Sequence, residues 1–273
     1  MSISSKFEGM PSSLNARAAS QAVATIGNKR RQSLKLLGVL SSIGLVGVLA
    51  FRNRYASSLL AEYRTSVGEQ RQLTLADGTE LWLNTETAID VDYGRAERRI
   101  TLRSGEILVK TAADTLSPSR PFLVVTDQGA LHPLGTQFTV RTESTSSNIA
   151  VFEGAVKVSL KRNRTASQVV PAGLQMFFSN TSAGNLTPAE TLRRDWIHGA
   201  LTADDMRLED FINELSRYHP GILSCSPDVA NLRIVGSYPI QNMPAILEAL
   251  EGSLPITVKQ YTPWWTSISK KSA

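Results

Sequence analysis

The dipeptide Gly135-Thr136, inside LGTQFTV, joins two residue types that permit chemistry neither performs alone. Glycine lacks a Cβ, so it reaches backbone angles closed to other residues and leaves its carbonyl carbon open to approach. Threonine places a hydroxyl on the next residue. Attack of that hydroxyl on the glycine carbonyl moves the acyl group from nitrogen to oxygen and gives an ester that water cleaves. Such a step is intramolecular nucleophilic catalysis, in which fixed geometry supplies the rate. The same dipeptide also suits a tight turn leading into a strand through Phe138 and Val140, with no chemistry at all. His132 lies three residues before Gly135, and only the fold decides whether it faces inward.

Other chemistry is sparse. The three histidines, His132, His198 and His219, are far apart, and no HExxH, GxSxG, GxGxxG or Walker loop occurs. His219 beside Pro220 reads as the end of a helix. Cys225 is the single cysteine, which excludes an internal disulfide or a Cys-rich metal site and reads as a core thiol near a strand. Asp204 and Asp205 read as helix caps rather than paired acid–base carboxylates. The expectation is a protein that is no enzyme beyond self-cleavage at Gly135-Thr136, with no metal, cofactor or small-molecule substrate. Trp264 and Trp265 suit an exposed aromatic contact and packing on a last strand equally well.

The elements that must position these residues fall into two kinds. From Gln70 to Met176 apolar residues alternate with polar ones between glycine turns. Leu73 and Leu75 precede Asp77-Gly78, and Leu81 and Leu83 follow it, a hairpin signal. RITLRSGEILVK predicts one strand through Ile100 and Leu102, a turn at Ser104-Gly105, and a second through Ile107 and Val109. Many short strands at this spacing predict an all-β sandwich, barrel or coiled solenoid over 60–180. A Ser/Asn/Thr/Gly-rich stretch, 181–194, reads as a linker. Beyond it the period changes. MRLEDFINELSRY places Leu208, Phe211, Ile212 and Leu215 at helical spacing, and MPAILEALEG repeats the pattern with Pro244 in its first turn. With the strands GILSC, LRIVGSY and ITVKQY this predicts a βαβ-βαβ module over 195–262 and a tail at 263–273. The fold class is mainly β plus a small α/β module.

Leu36 to Phe51 is an uncharged apolar run of sixteen residues. A membrane span needs about 20; Ser33, Leu34 and a snorkelling Lys35 extend the run toward that length. It predicts one N-terminal transmembrane helix or signal anchor over 34–51. Val48 and Ala50 also have the small-residue spacing of a cleavage site, although Arg52 and Arg54 follow at once. Lys29, Arg30, Arg31 and Lys35 outnumber the two arginines beyond, so residues 1–33 form a short basic cytoplasmic segment and the chain from about 55 onward lies across the membrane. Arg30 and Arg31 in RRQSLK also read as a twin-arginine export signal. The net charge of +5 resides in residues 1–35, which hold six Lys/Arg and one acid; the remainder balances at 23 and 23. A neutral folded part argues against a nucleic-acid partner.

LADGTELWLNTETAIDVDY, RSGEILVKTA, RPFLVVT, LGTQFTV and VFEGAVKVSL, in that order over about Gly68 to Phe178, resemble successive blocks of the periplasmic FecR domain. The resemblance implies a FecR-type anti-sigma regulator of the inner membrane. Its cytoplasmic segment would bind an extracytoplasmic-function sigma factor. Its periplasmic part would listen to a TonB-dependent outer-membrane receptor for iron–siderophore complexes. The α/β module is similar to the STN-like module that ends FecR proteins. Trp196, Gly199, Leu201, Leu208, Arg217, Tyr218 and Gly236 stand where that pattern has them, which makes Trp196, Arg217, Tyr218 and Gly236 the residues of an expected receptor-docking module. Some FecR-type proteins split themselves at the matching Gly–Thr. The segment before the span is shorter here than the family's helical anti-sigma domain, which leaves a start farther upstream, or sensing without that device, as the two expectations. An alternative of another class is an anchored envelope-assembly protein docking to a secretin-type partner.

Overall fold

A computed structural model describes residues 61–163 and 167–271. All of them belong to one unit, Ser57–Ala273. The apolar run at 34–51, Arg30-Arg31 and the basic N-terminal segment lie outside the described residues. Among the described residues no helix is long and apolar enough to cross a membrane.

The alternating stretches all become strands. They are β1 (Tyr63–Arg64), β2 (Arg71–Thr74), β3 (Glu80–Leu83), β4 (Ala88–Tyr93), β5 (Arg98–Lys110), β6 (Phe122–Val125) and β7 (Gly129–Pro133). There follow β8 (Gln137–Thr142), β9 (Ser146–Glu153), β10 (Ala155–Leu160), β11 (Ser167–Pro171), β12 (Leu174–Ser179) and β13 (Thr187–Pro188). They form one continuous sheet whose main path runs β11-β10-β7-β6-β5-β8-β9-β12-β13. The sheet curls until β11 lies against β9 and β12. One face of every major strand therefore points into a common core that includes Leu81, Ile100, Leu131, Phe138, Val156 and Phe178. At ~25 cal/mol per Å² of apolar surface removed from water, such burial is the main force holding the curl closed.

The centre of the sheet differs from the expected hairpin. The chain does not reverse at Ser104-Gly105; β5 runs straight through. Its first half pairs with β4 and β6, its second with β3 and β8. Ile100 and Leu102 face the core on even numbers, Ile107 and Val109 on odd ones, so the alternation changes parity at Ser104-Gly105. A bulge with a left-handed glycine absorbs that change without a turn. Gly105 sits at φ +85°, and a Cβ there would lie 2.3 Å from Thr87 Oγ1, so no other residue fits the bend.

Polar residues of the quoted blocks brace this core. Asp77, in the β2–β3 turn, accepts from the Thr79 backbone and hydroxyl, from Tyr93 and from Arg98 at 2.6 Å. Burial alone would raise the Asp77 pKa, but those donors hold it below the usual carboxylate value. Arg120 grips Asp114, and Phe122 stacks edge-on against Tyr93 beneath the Arg98 guanidinium.

The second part contains β14 (Ala200–Arg207), α1 (Leu208–Ser216), β15 (Ile222–Cys225), β16 (Arg233–Pro239), α2 (Met243–Ser253), β17 (Ile256–Thr262) and β18 (Trp265–Lys270). β14 pairs with β16, and β15, β18 and β17 form a second small sheet with β18 in its middle. Thus part of 263–273 is a central strand rather than a tail. Asp204 and Asp205 do not cap α1 as expected. They lie in β14 at a bulge, with Asp205 at φ +49°, and Arg207 precedes the helix without a side-chain cap. Glu209 and Asp210 in the first turn complement the helix dipole instead. The stretch 181–194 is not free either. β13 pairs with β12, a 3₁₀ segment covers Thr191–His198, and the Arg194 guanidinium lies over Phe152 at 4.9 Å.

Candidate functional site

Gly135-Thr136 lies between β7 and β8, in an exposed connection that leads from one half of the sheet to the other. Gly135 has φ +70°, with open space where a Cβ would stand. Its carbonyl points the other way, into the turn between β9 and β10: a Cβ on Gly154 would lie 2.4 Å from the Gly135 oxygen and 2.8 Å from Thr136 Cγ2. Gly154 is thus the wall against which the Gly135 carbonyl rests. Thr136 is buried, and its Oγ1 makes no hydrogen bond to the described residues. Thr111, at the end of β5, clamps the Thr136 peptide from three directions. Its Oγ1 accepts from the Thr136 amide at 2.9 Å and donates to the Thr136 carbonyl at 3.2 Å, and its own amide donates to that carbonyl at 3.0 Å.

The Thr136 hydroxyl is thus buried, without a partner among the described residues, on the residue that follows the Gly135 carbonyl. Neither Thr111 nor Gly154 was marked in the sequence. Thr111 is an ordinary residue at a strand end, and Gly154 reads as one more turn glycine; only tertiary contact assigns them to the junction. His132 does not join it. It lies on β7 opposite Lys157 and lines an outer groove of about 710 Å³ with Arg99, Thr101 and Ser159. Burial and then Lys157 lower its pKa, which favours the neutral imidazole.

The expected docking residues are placed mostly inward. Trp196 is buried in the core of the second part, and Gly236, at φ +148°, leaves room for the Tyr238 ring at 3.3 Å. Arg217 and Tyr218, just past α1, reach back to the β-domain. Arg217 pairs with Glu106 on β5 at 2.8 Å and with Glu214 on α1, while Glu214 also receives Arg141 of β8 at 2.8 Å. Asn84 donates to both Glu106 Oε2 and the Tyr218 hydroxyl, and Thr85 donates to the Arg217 carbonyl. Burial disfavours the Arg217 charge, but Glu106 and Glu214 outweigh it and raise the Arg217 pKa above its ordinary value. Leu108, on the outer face of β5, is buried among Phe211, Leu215 and Leu250, with Trp82 and Phe152 beside it. The β-domain and the α/β module therefore share a core and a buried ion-pair network. These four residues do not make one exposed patch.

Residues 61–157 match the family model described as FecR protein. The match covers β1 through β9 and the start of β10, including the Gly135-Thr136 junction. Two crystal structures of a Parabacteroides distasonis ATCC 8503 protein described as an anti-sigma factor share the fold. The one at 1.65 Å aligns with a TM-score of 0.62 at 23% identity, over 78% of this chain and 100% of that one. The one at 2.50 Å aligns at 0.60 and 22%, over 77% and 98%. Comparison with curated proteins gives no match.

Proposed function

We propose that this chain is a FecR-type, single-pass inner-membrane regulator. In this reading it relays the state of a TonB-dependent outer-membrane receptor, of the siderophore class, to a cytoplasmic extracytoplasmic-function sigma factor. The carrying observation is the FecR domain over 61–157, fused through a shared core to an α/β module. The fold shared with a protein described as an anti-sigma factor supports it, as does the apolar run with its basic flank. The β-domain lies between the apolar run and the α/β module in the chain, and the STN-like module faces the receptor signalling domain. Deleting the chain is expected to uncouple a sigma-dependent reporter from the siderophore, and a fusion of residues 1–33 is expected to retain the sigma factor on a column. A reporter that responds normally in the deletion strain would overturn the reading.

Self-cleavage at Gly135-Thr136 belongs to the same proposal. Thr136 Oγ1 attacks the Gly135 carbonyl carbon, the C–N bond breaks, and the hydroxyl proton ends on the released amine. Water then hydrolyses the ester, leaving a Gly135 carboxylate and a free Thr136 amine and hydroxyl. Thr111 holds the peptide plane during attack, and Gly154 fixes the carbonyl. The cut would not separate the halves: β8 pairs with β5, and β10 with β7, across it. Gly154→Ala drives a methyl group into the Gly135 oxygen and is expected to slow the appearance of a fragment starting at Thr136 on the order of 100-fold, the effect of a displacement near 1 Å. A time course with unchanged rate would remove Gly154 from the mechanism.

A further inference from the structure

The β17–β18 hairpin ends in an aromatic tip that the core does not use. Trp264 is 65% exposed, Ile222 64%, Tyr261 58% and Trp265 44%. Ile222 and Trp265 are register partners, the Tyr261 and Trp265 rings stack at 4.7 Å, and the Ile222 amide donates to the Trp264 carbonyl at 2.7 Å. The Trp265 indole N–H is satisfied by Ser224 Oγ at 3.3 Å. The module core lies on the opposite face of this sheet, under Leu223 and Ile268. Single exposed apolar residues are ordinary, whereas four together mark an interaction surface.

Its position narrows the partner. A Cβ on Gly221 would lie 2.8 Å from the Trp264 carbonyl, and a Cβ on Gly68 would lie 3.1 Å from the Tyr218 carbonyl. Two residues separate Tyr218 from Gly221, so the tip lies beside the turn that follows β1, where the chain enters the folded unit. The apolar run ends at Phe51, twelve residues before Tyr63, which is about 40 Å at full extension. Charge agrees: Lys259, the register partner of Ser267, stands on the Trp265 face of the hairpin, and the chain carries no acid after Glu251. Tryptophan and tyrosine, apolar in body and polar at one end, favour the headgroup layer of a bilayer, and lysines favour anionic lipid.

We propose that Tyr261, Trp264, Trp265 and Ile222 rest in the interfacial layer of an anionic membrane and hold the folded unit against the bilayer that tethers it. The proposal rests on the anchored reading above. The test uses the full chain reconstituted into phosphatidylethanolamine–phosphatidylglycerol vesicles containing lipid brominated high on its acyl chains. Trp196 is buried and Trp82 packs against the module core, so quenching of tryptophan emission by bromine is expected to come from the tip. The double variant Trp264→Ser/Trp265→Ser is expected to lose most of that quenching with an unchanged circular dichroism spectrum. Absence of quenching in a chain that resists alkaline carbonate extraction overturns the tip proposal and leaves the anchor standing, as does equal quenching in the double variant. Extraction by carbonate overturns the anchor instead; the tip is then supported if added protein floats with the vesicles and the double variant does not, and overturned if both behave alike. Trp264 shielded from aqueous iodide by a receptor signalling domain, without bromine quenching, makes the tip a protein contact and overturns the lipid assignment.

Discussion

In the Thr136→Ala protein no fragment beginning at residue 136 is expected, whereas the parent chain exported to the periplasm should yield one that co-purifies with the upstream half. The physical basis is the removal of one hydroxyl. Alanine keeps the Cβ and the backbone, so the peptide clamped by Thr111 and the carbonyl resting on Gly154 stay in place. What disappears is Oγ1, which has no hydrogen-bond partner among the described residues, so its removal orphans no buried group. The fold loses only one buried methyl besides, about 0.8–1.5 kcal/mol. Thr136→Ser retains the hydroxyl and should retain the fragment, now beginning with the introduced serine. Intact-mass and N-terminal sequencing of tagged protein read both outcomes. Persistence of the fragment in Thr136→Ala would mean that an outside protease makes it.

Arg217→Met should cost about 3–5 kcal/mol of folding stability, the penalty of leaving buried charge unpaired. Methionine fills much of the same volume, so cavity formation is a small part of the loss. The side chains of Glu106 and Glu214 are 10% and 14% exposed, and without Arg217 both carboxylates lose the guanidinium they share, although Arg141 still pairs with Glu214 and Asn84 still donates to Glu106. Because the network straddles the β-domain and the α/β module, the lost stability should appear at their junction. The parent is expected to melt in one transition, as its shared core at Leu108 requires. The variant should melt earlier, with the module leaving first. Adding Glu106→Gln removes one of the stranded charges and should recover part of the loss. Denaturant melts monitored by tryptophan emission measure all three proteins. A variant within about 0.5 kcal/mol of the parent, the range of an ordinary surface substitution, would show that the ion pairs are solvated in solution.

The Arg217 case shows where reading from sequence stopped. Strand and helix periods are local properties, written in the spacing of Leu81 and Leu83 or of Leu208, Phe211 and Leu215, because a side chain's face follows from its own backbone. Those periods determined the mainly β part, the α/β part and the order of nearly all elements. The hydroxyl-after-glycine pattern singled out Gly135-Thr136 as a candidate for chemistry, with a tight turn as the alternative. What the sequence left undecided depends on residues distant along the chain. The parity change at Gly105 is compatible with a turn or a bulge, and the neighbours Thr87 and Glu86 select the bulge by filling the space beside it. Leu108 looks like the solvent side of a strand until the module covers it. Arg217 and Tyr218 look like surface residues ending a helix until Glu106 and Asn84, more than a hundred residues earlier, meet them. Gly154 and Thr111 acquire a role only by touching the junction. Residue type and local period fix which face a side chain takes. Only the closing of the sheet, which brings distant strands within contact distance, decides what that face meets.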